Sequence, residues 1–220
     1  MVLATADECQ DPEIHAHLAR IYNDRCYTKD GVVNPFDPRY GGGGGHFSRR
    51  PEWFEQNLGE GSRLILVCDR DGRSSLVGYG LFYVDSGKFP GFASDALWPK
   101  QIESIGAAFA YTYLFIIEER YTRLGLGWQL MSAIRDECRR AGCRAIIHEF
   151  FVRPVVNVAS ACIHRKMGRE WGAVDTGRTA SHTVERPNGN VSIYYAQHLI
   201  PTKDGERLTI DARGEISFAA

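Results

Sequence analysis

The chain has 220 residues, 44% of them hydrophobic, enough for one substantial core, and a single domain spanning 1–220 is the expectation at this length. Its 26 basic and 27 acidic residues leave a formal net charge of -1, so no global field holds it on nucleic acid or an anionic membrane, and the expected partner is a small molecule. No apolar run approaches the roughly 20 residues that span a bilayer. The opening MVLATADECQDPEIHAHLA lacks the basic start and apolar middle of a signal peptide, which predicts a cytoplasmic location.

The six cysteines, Cys9, Cys26, Cys68, Cys138, Cys143 and Cys162, form no C-x-x-C pair and fall in segments that read as helix or strand. Reduced thiols and no metal centre are expected.

In chain order, Asp11 to Tyr27 places Ile14, Leu18 and Ile21 at helical spacing, with Asp11 as a cap and Pro12 in the first turn. From Thr28 to Arg50 the pattern dissolves into Pro, Asp and the run Gly41 to Gly45, which predicts a loop without regular elements. His46, Phe47 and Ser48 follow that run, so a phosphate-cradling loop is not expected there. Pro51 to Leu58 reads as a short helix. Arg63 to Cys68 and Leu76 to Val84 are β-prone runs on either side of Asp69-Arg70-Asp71-Gly72-Arg73, a hairpin signal. Ser86 to Gly106 is long and irregular, and its Phe89, Phe92 and Trp98 suggest a lid over an acceptor pocket.

Ala108 to Ile117 returns to a strand pattern, and after a turn Leu126, Leu130, Ile134 and Cys138 recur at helical spacing until Ala141-Gly142. Ala145 to Val152 is a strand candidate and Asn157 to Met167 a helix. Gly172 to Val184 and Val191 to Ile200 are strand candidates flanking the turn Pro187-Asn188-Gly189-Asn190. Pro201 to Ala220 is polar enough for a loosely attached tail, although Leu208, Ile210, Ile216 and Phe218 also suit an edge hairpin.

The junction between the Ala108 to Ile117 strand and the next helix carries the chemistry. A strand that runs through a glycine turn into a helix presents unpaired N–H groups and the positive end of the helix dipole to an anion. Gly125 and Gly127 permit close approach of a phosphate, although tight packing favours glycine there as well.

Thr122-Arg123-Leu124-Gly125-Leu126-Gly127 resembles the pyrophosphate loop R/Q-x-x-G-x-G/A of the GNAT superfamily, with Thr122 in place of the usual Arg or Gln and Arg123 as a neighbouring substitute. Ile117-Glu118-Glu119-Arg120-Tyr121 looks like the V-x-P-E-Y lead-in, with Ile117 and Tyr121 in register. Asn157, Ile163, His164, Lys166, Met167 and Gly168 resemble the second family pattern, N-x-x-A-x-x-L-Y-x-K-L-G, at the same spacing. The resemblance covers about Pro51 to Leu199, with 28–50 a Gly-rich loop and 201–220 a tail. It implies an α/β (α+β) fold, a mixed, splayed central sheet of six to seven strands flanked by helices and open between its fourth and fifth strands. It also implies acetyl-CoA or another acyl-CoA as cosubstrate, no metal, and a cofactor site at Ile117, Thr122, Arg123, Leu124, Gly125, Leu126, Gly127 and Asn157.

By the same resemblance, His164 stands where the family places a tyrosine acid, and as imidazolium it would donate readily to a departing thiolate. Tyr111 and Tyr113 stand where members carry a base, a role to which a phenol is poorly suited. His148 and Glu149 are the neighbouring ionisable residues, on opposite faces of their strand, so that one of the two can face the cleft. The implied function is N-acyl transfer to the amine of a small molecule. The alternatives are a GNAT-fold enzyme that uses a charged tRNA donor or decarboxylates or hydrolyses an acyl thioester, and a catalytically silent acyl-CoA-binding domain. A homodimer is compatible with either enzymatic reading.

Overall fold

Seven strands share one sheet in the order β1-β4-β5-β6-β7-β9-β8, with every neighbouring pair antiparallel except β6 and β7. They are β1 (Val2–Leu3), β4 (Ser62–Cys68), β5 (Leu76–Tyr83), β6 (Phe109–Ile117), β7 (Ala145–Arg153), β8 (Val174–Val184) and β9 (Val191–Pro201). This is the mixed α/β architecture that the sequence implies. The computed structural model describes residues 1–25, 28–29, 32–33, 49–69, 75–88, 108–153, 157–184, 191–213 and 215–219. Gly41 to Gly45, the residues Phe89, Phe92 and Trp98 of the expected lid, Cys26, and the turn at Pro187 to Asn190 lie outside the described residues.

Helices cover both faces of the sheet. On one face, α2 (Pro12–Asp24) starts where Asp11 accepts the Glu13 N–H at 2.9 Å, and Pro12 fits the first turn because it lacks an N–H to satisfy. Its apolar spacing turns Ile14, Leu18, Ile21 and Tyr22 onto Leu64, Leu66, Tyr79 and Leu81 of the sheet, joined by Phe54 of α3 (Pro51–Asn57). Each such buried side chain contributes roughly 1.5–3 kcal/mol. A short α1 (Ala6–Cys9) precedes them, capped by Thr5 and Glu8.

On the opposite face, α4 (Leu126–Arg140) buries Leu130, Met131, Ile134 and Cys138 against Ile65, Val77, Phe82, Ala110 and Ile146. α5 (Val158–Trp171) adds Met167 and stacks Trp171 on Trp128 of α4, ring centroids 4.2 Å apart. This helix runs one turn past the expected end at Met167, because Gly172 supplies the left-handed residue (φ 69) that closes it.

One expectation needs correction, and one open alternative is decided. Thr28 to Arg50 is not devoid of regular structure, since β2 (Thr28–Lys29) and β3 (Val32–Val33) pair antiparallel, in keeping with the β preference of Thr and Val. Of the two readings open for the C-terminal residues, a loose tail and an edge hairpin, the hairpin is the one formed. β10 (Arg207–Ile210) and β11 (Ile216–Ala219) form a hairpin, and Leu208 and Ile216 are buried against Phe109, Tyr111, Ile147 and Leu199. The hairpin therefore shields the sheet face that α2 and α3 leave uncovered.

Candidate active site

The sheet forks in its middle. β6 and β7 are hydrogen-bonded from Phe109 opposite Ala145 only as far as Thr112 opposite His148, and beyond that pair they part. On its other edge β6 carries a bulge, since Leu81 pairs with Leu114 while Phe82 pairs with Thr112, leaving Tyr113 as the extra residue. A bulge re-aims side chains and is over-represented beside active sites. Tyr113 and Glu149 thus sit at the point where the two strands separate.

One mouth of this fork is the N-terminus of α4. Gly125, the N-cap, has φ 78 and no side chain to cap the helix, whereas Asp11 and Asn157 cap α2 and α5. Gln129 is the first residue to donate back, to the Gly125 carbonyl at 3.1 Å, so the preceding N–H groups of the first turn have no partner within the helix. Arg123 is also left-handed (φ 65), and Arg123, Leu124 and Gly125 are exposed, Leu124 by 63%. A Cβ at Gly127 would come within 3.1 Å of Ile163 and 3.6 Å of Phe115, so the bare backbone here lets α4 approach β6 and α5. The turn is tied down from below. Thr122 donates to the Glu119 carbonyl at 2.7 Å, and Tyr121 donates to Asp69 at 2.6 Å. Glu118 is buried and ion-paired with Arg20 and Arg120, each at 2.9 Å.

On the face of the fork shared with α2 and α3 stands a carboxylate held by two donors. The Tyr111 hydroxyl donates to Glu149 Oε2 at 2.8 Å, and the Gln197 amide donates to Glu149 Oε1. Gln197 is buried and lies directly opposite Glu149 in the β7–β9 register. Burial, then the Glu149 charge, pushes the Tyr111 phenol well above its usual range. Tyr113 is raised by burial as well, with its ring 6.3 Å from that of Tyr111 and 5.5 Å from that of Trp53.

His148 points to the other face, as alternation along a strand requires. There it packs with His164 of α5 and His198 of β9, ring centroids 4.7 Å and 4.3 Å from His164, with Phe150 4.3 Å away. His164 is buried and neither of its ring nitrogens has a hydrogen-bond partner. Burial, reinforced by His148 and His198, drives its pKa far below the ordinary histidine value, and burial reinforced by His198 pushes His148 down to about 3. The expected imidazolium at His164 is therefore not the form present at neutral pH, because a charge among three imidazoles and a phenyl ring has no solvation. Among the described residues, no three His, Cys, Asp or Glu side chains are arranged to hold a metal ion.

The acetyltransferase (GNAT) family model matches residues 32–168, more than half of the chain. The chain belongs to the GNAT family. Solved GNAT structures share its fold. The ribosomal-protein-S18-alanine N-acetyltransferase of Escherichia coli superposes with a TM-score of 0.56 at 11% identity, covering 92% of this chain and 94% of its own. The corresponding values are 0.52, 17%, 90% and 98% for the ribosomal-protein-alanine N-acetyltransferase of Brucella melitensis. For yncA of Salmonella typhimurium, solved with its cofactor acetyl-CoA, they are 0.52, 19%, 96% and 98%. No curated protein matches the chain in sequence.

In this GNAT chain the sequence-selected residues fall into three groups. Ile117, Thr122, Arg123, Leu124, Gly125, Leu126 and Gly127 gather at the end of β6 and the start of α4, and Asn157 is the buried cap of α5, accepting the Ser160 N–H at 3.0 Å. Tyr111, Tyr113 and Glu149 cluster at the fork. His164 lies on the opposite face, in the histidine cluster. Gln197 and His198 went unnoticed in the sequence, because only the β7–β9 register, which sets them opposite Glu149 and His148, gives them meaning.

Proposed function

We propose that the protein is an N-acyltransferase that moves an acyl group, most simply acetyl, from a coenzyme A thioester to the amine of a small-molecule acceptor. The observation that carries this reading is the position of the uncapped α4 N-terminus beside the fork between β6 and β7, with the Glu149 carboxylate where the strands part. An exposed helix N-terminus with a left-handed glycine fits a pyrophosphate. The N–H groups of Leu124 to Gly127 would hold it, flanked by Thr122 and Arg123, with Ile117 and Asn157 bordering the arm that enters the fork. Bound there, the thioester supplies an acyl carbonyl open to attack by an amine.

The residues of the chain do the rest. Glu149 accepts the proton of the acceptor ammonium, and Tyr111 and Gln197 fix the carboxylate in orientation by donating to its two oxygens. Tyr113, re-aimed by the bulge, lines the acceptor side. His164, neutral, serves as an N–H donor towards the departing sulfur. The balance of 26 basic and 27 acidic residues supports a small acceptor over a polyanionic one. A cytoplasmic site of action is part of the same reading, in keeping with the free thiols of Cys9, Cys138, Cys143 and Cys162.

The test is thiol release from acetyl-CoA in the presence of an amine panel, with mass spectrometry of the products. Amine-dependent release and a product heavier by one acetyl group are expected. Release that ignores the amine indicates thioester hydrolysis, and binding of acetyl-CoA without release indicates a silent domain.

A further inference from the structure

Arg49 is a cation held in place with no ion pair among the described residues. Its backbone is clamped to the end of α2 by two bonds, Asn23 Nδ2 to the Arg49 carbonyl at 2.9 Å and the Arg49 N–H to Asn23 Oδ1 at 2.8 Å. Its guanidinium lies 4.4 Å from the centroid of Trp53 and 5.9 Å from that of Tyr22. Nε is buried with no hydrogen-bond partner, and no ion pair to Arg49 is formed among the described residues. A buried donor left unsatisfied is costly, and a ligand that accepts from it would account for its retention.

The neighbours of Arg49 lead to the fork. Trp53 packs on Tyr113, Tyr113 lies beside Tyr111, and Tyr111 holds Glu149. The positive charge of Arg49 also acts on the hydroxyls of Tyr113 and Tyr195, pulling against the burial that raises them. An aromatic wall therefore connects a fixed guanidinium to a fixed carboxylate. Glu149 suits an amine. A guanidinium with an unsatisfied Nε–H, lying over an aromatic ring, suits a carboxylate, which arginine can bind in fork geometry.

The geometry points to an acceptor that carries a carboxylate as well as its amine, an amino acid or a longer ω-amino acid, with Arg49 reading the carboxylate. The assignment rests on the proposed transfer at Glu149 but is tested apart from it, by binding. The protein saturated with coenzyme A is titrated calorimetrically with glycine, β-alanine and longer ω-amino acids, each beside the alkylamine of the same chain length. In the parent, at least one carboxylate-bearing member is expected to bind roughly ten-fold or more tightly than its alkylamine. The preferred length reports the span from Glu149 to Arg49. Arg49→Gln, with its fold checked by circular dichroism, should erase the difference, and Arg49→Lys should keep part of it. Equal affinity for both members of every pair, no binding of any ω-amino acid, or discrimination that survives Arg49→Gln overturns the proposal. Arg49-dependent binding in a protein that transfers no acetyl group leaves this site standing and removes the transferase reading instead.

Discussion

Glu149 and Gln197 face each other across the β7–β9 ladder, and the Gln197 amide donates to one Glu149 oxygen while Tyr111 donates to the other at 2.8 Å. A carboxylate held at both oxygens keeps one orientation, as a general base at a fork requires. Glu149→Gln preserves the shape and leaves an acceptor for Tyr111. Its kcat/KM for the acceptor should fall on the order of 10² to 10⁴-fold, and the base limb of the pH profile should vanish. A parental pH profile in this variant would show that the proton goes elsewhere.

Tyr111→Phe separates base from positioning group. If Tyr111 only orients Glu149, losing one hydrogen bond costs about 1 kcal/mol, roughly five-fold in kcat, with acetyl-CoA affinity unchanged. A loss as large as that of Glu149→Gln would make the phenol itself the base.

The histidine cluster predicts acid sensitivity. Folding lowers the pKa of both His148 and His164, so the folded protein keeps them neutral while the unfolded chain takes up protons near pH 6.5. Stability is therefore complete above about pH 6.5 and falls as the pH drops towards the folded values, by up to about 1.4 kcal/mol per pH unit for each ring. Urea titrations at a series of pH values between about pH 7 and pH 5 should show this decline. His164→Phe, which keeps a ring against Phe150, should make it shallower. An unchanged slope would mean that the cluster admits protons when folded.

The same variant tests the catalytic role of His164. His164→Phe should lower turnover while leaving acetyl-CoA affinity nearly constant, since the phosphate contacts lie at α4. His164→Tyr restores an X–H donor of the kind the family resemblance places there, and should recover part of the rate. Parental rates in both variants would make His164 a packing residue.

Local signals were legible in the sequence. The cap at Asp11, the turn from Thr122 to Gly127 and the Asn157 cap each depend on a few adjacent residues, and each lies where its local chemistry places it. Register was not legible. Nothing in the sequence alone sets His148, His164 and His198, from three elements, within ring contact, and their mutual burial changes the protonation expected for His164. Nor does Arg49, next to a glycine-rich stretch, signal that Trp53 and Tyr22 enclose it. The roles of Tyr111 and Gln197 likewise depend on strand pairing that brings distant residues onto one carboxylate.

Calorimetric titration of acetyl-CoA into the parent, Gly125→Asn and Gly125→Glu tests the central claim most directly. Asparagine tolerates the left-handed conformation at φ 78, so Gly125→Asn should fold and bind with modest loss. Gly125→Glu, folded by circular dichroism, sets a negative side chain against the phosphates and should bind too weakly to measure. Equal affinity in all three proteins would contradict the account, because the pyrophosphate would then rest somewhere other than the α4 N-terminus.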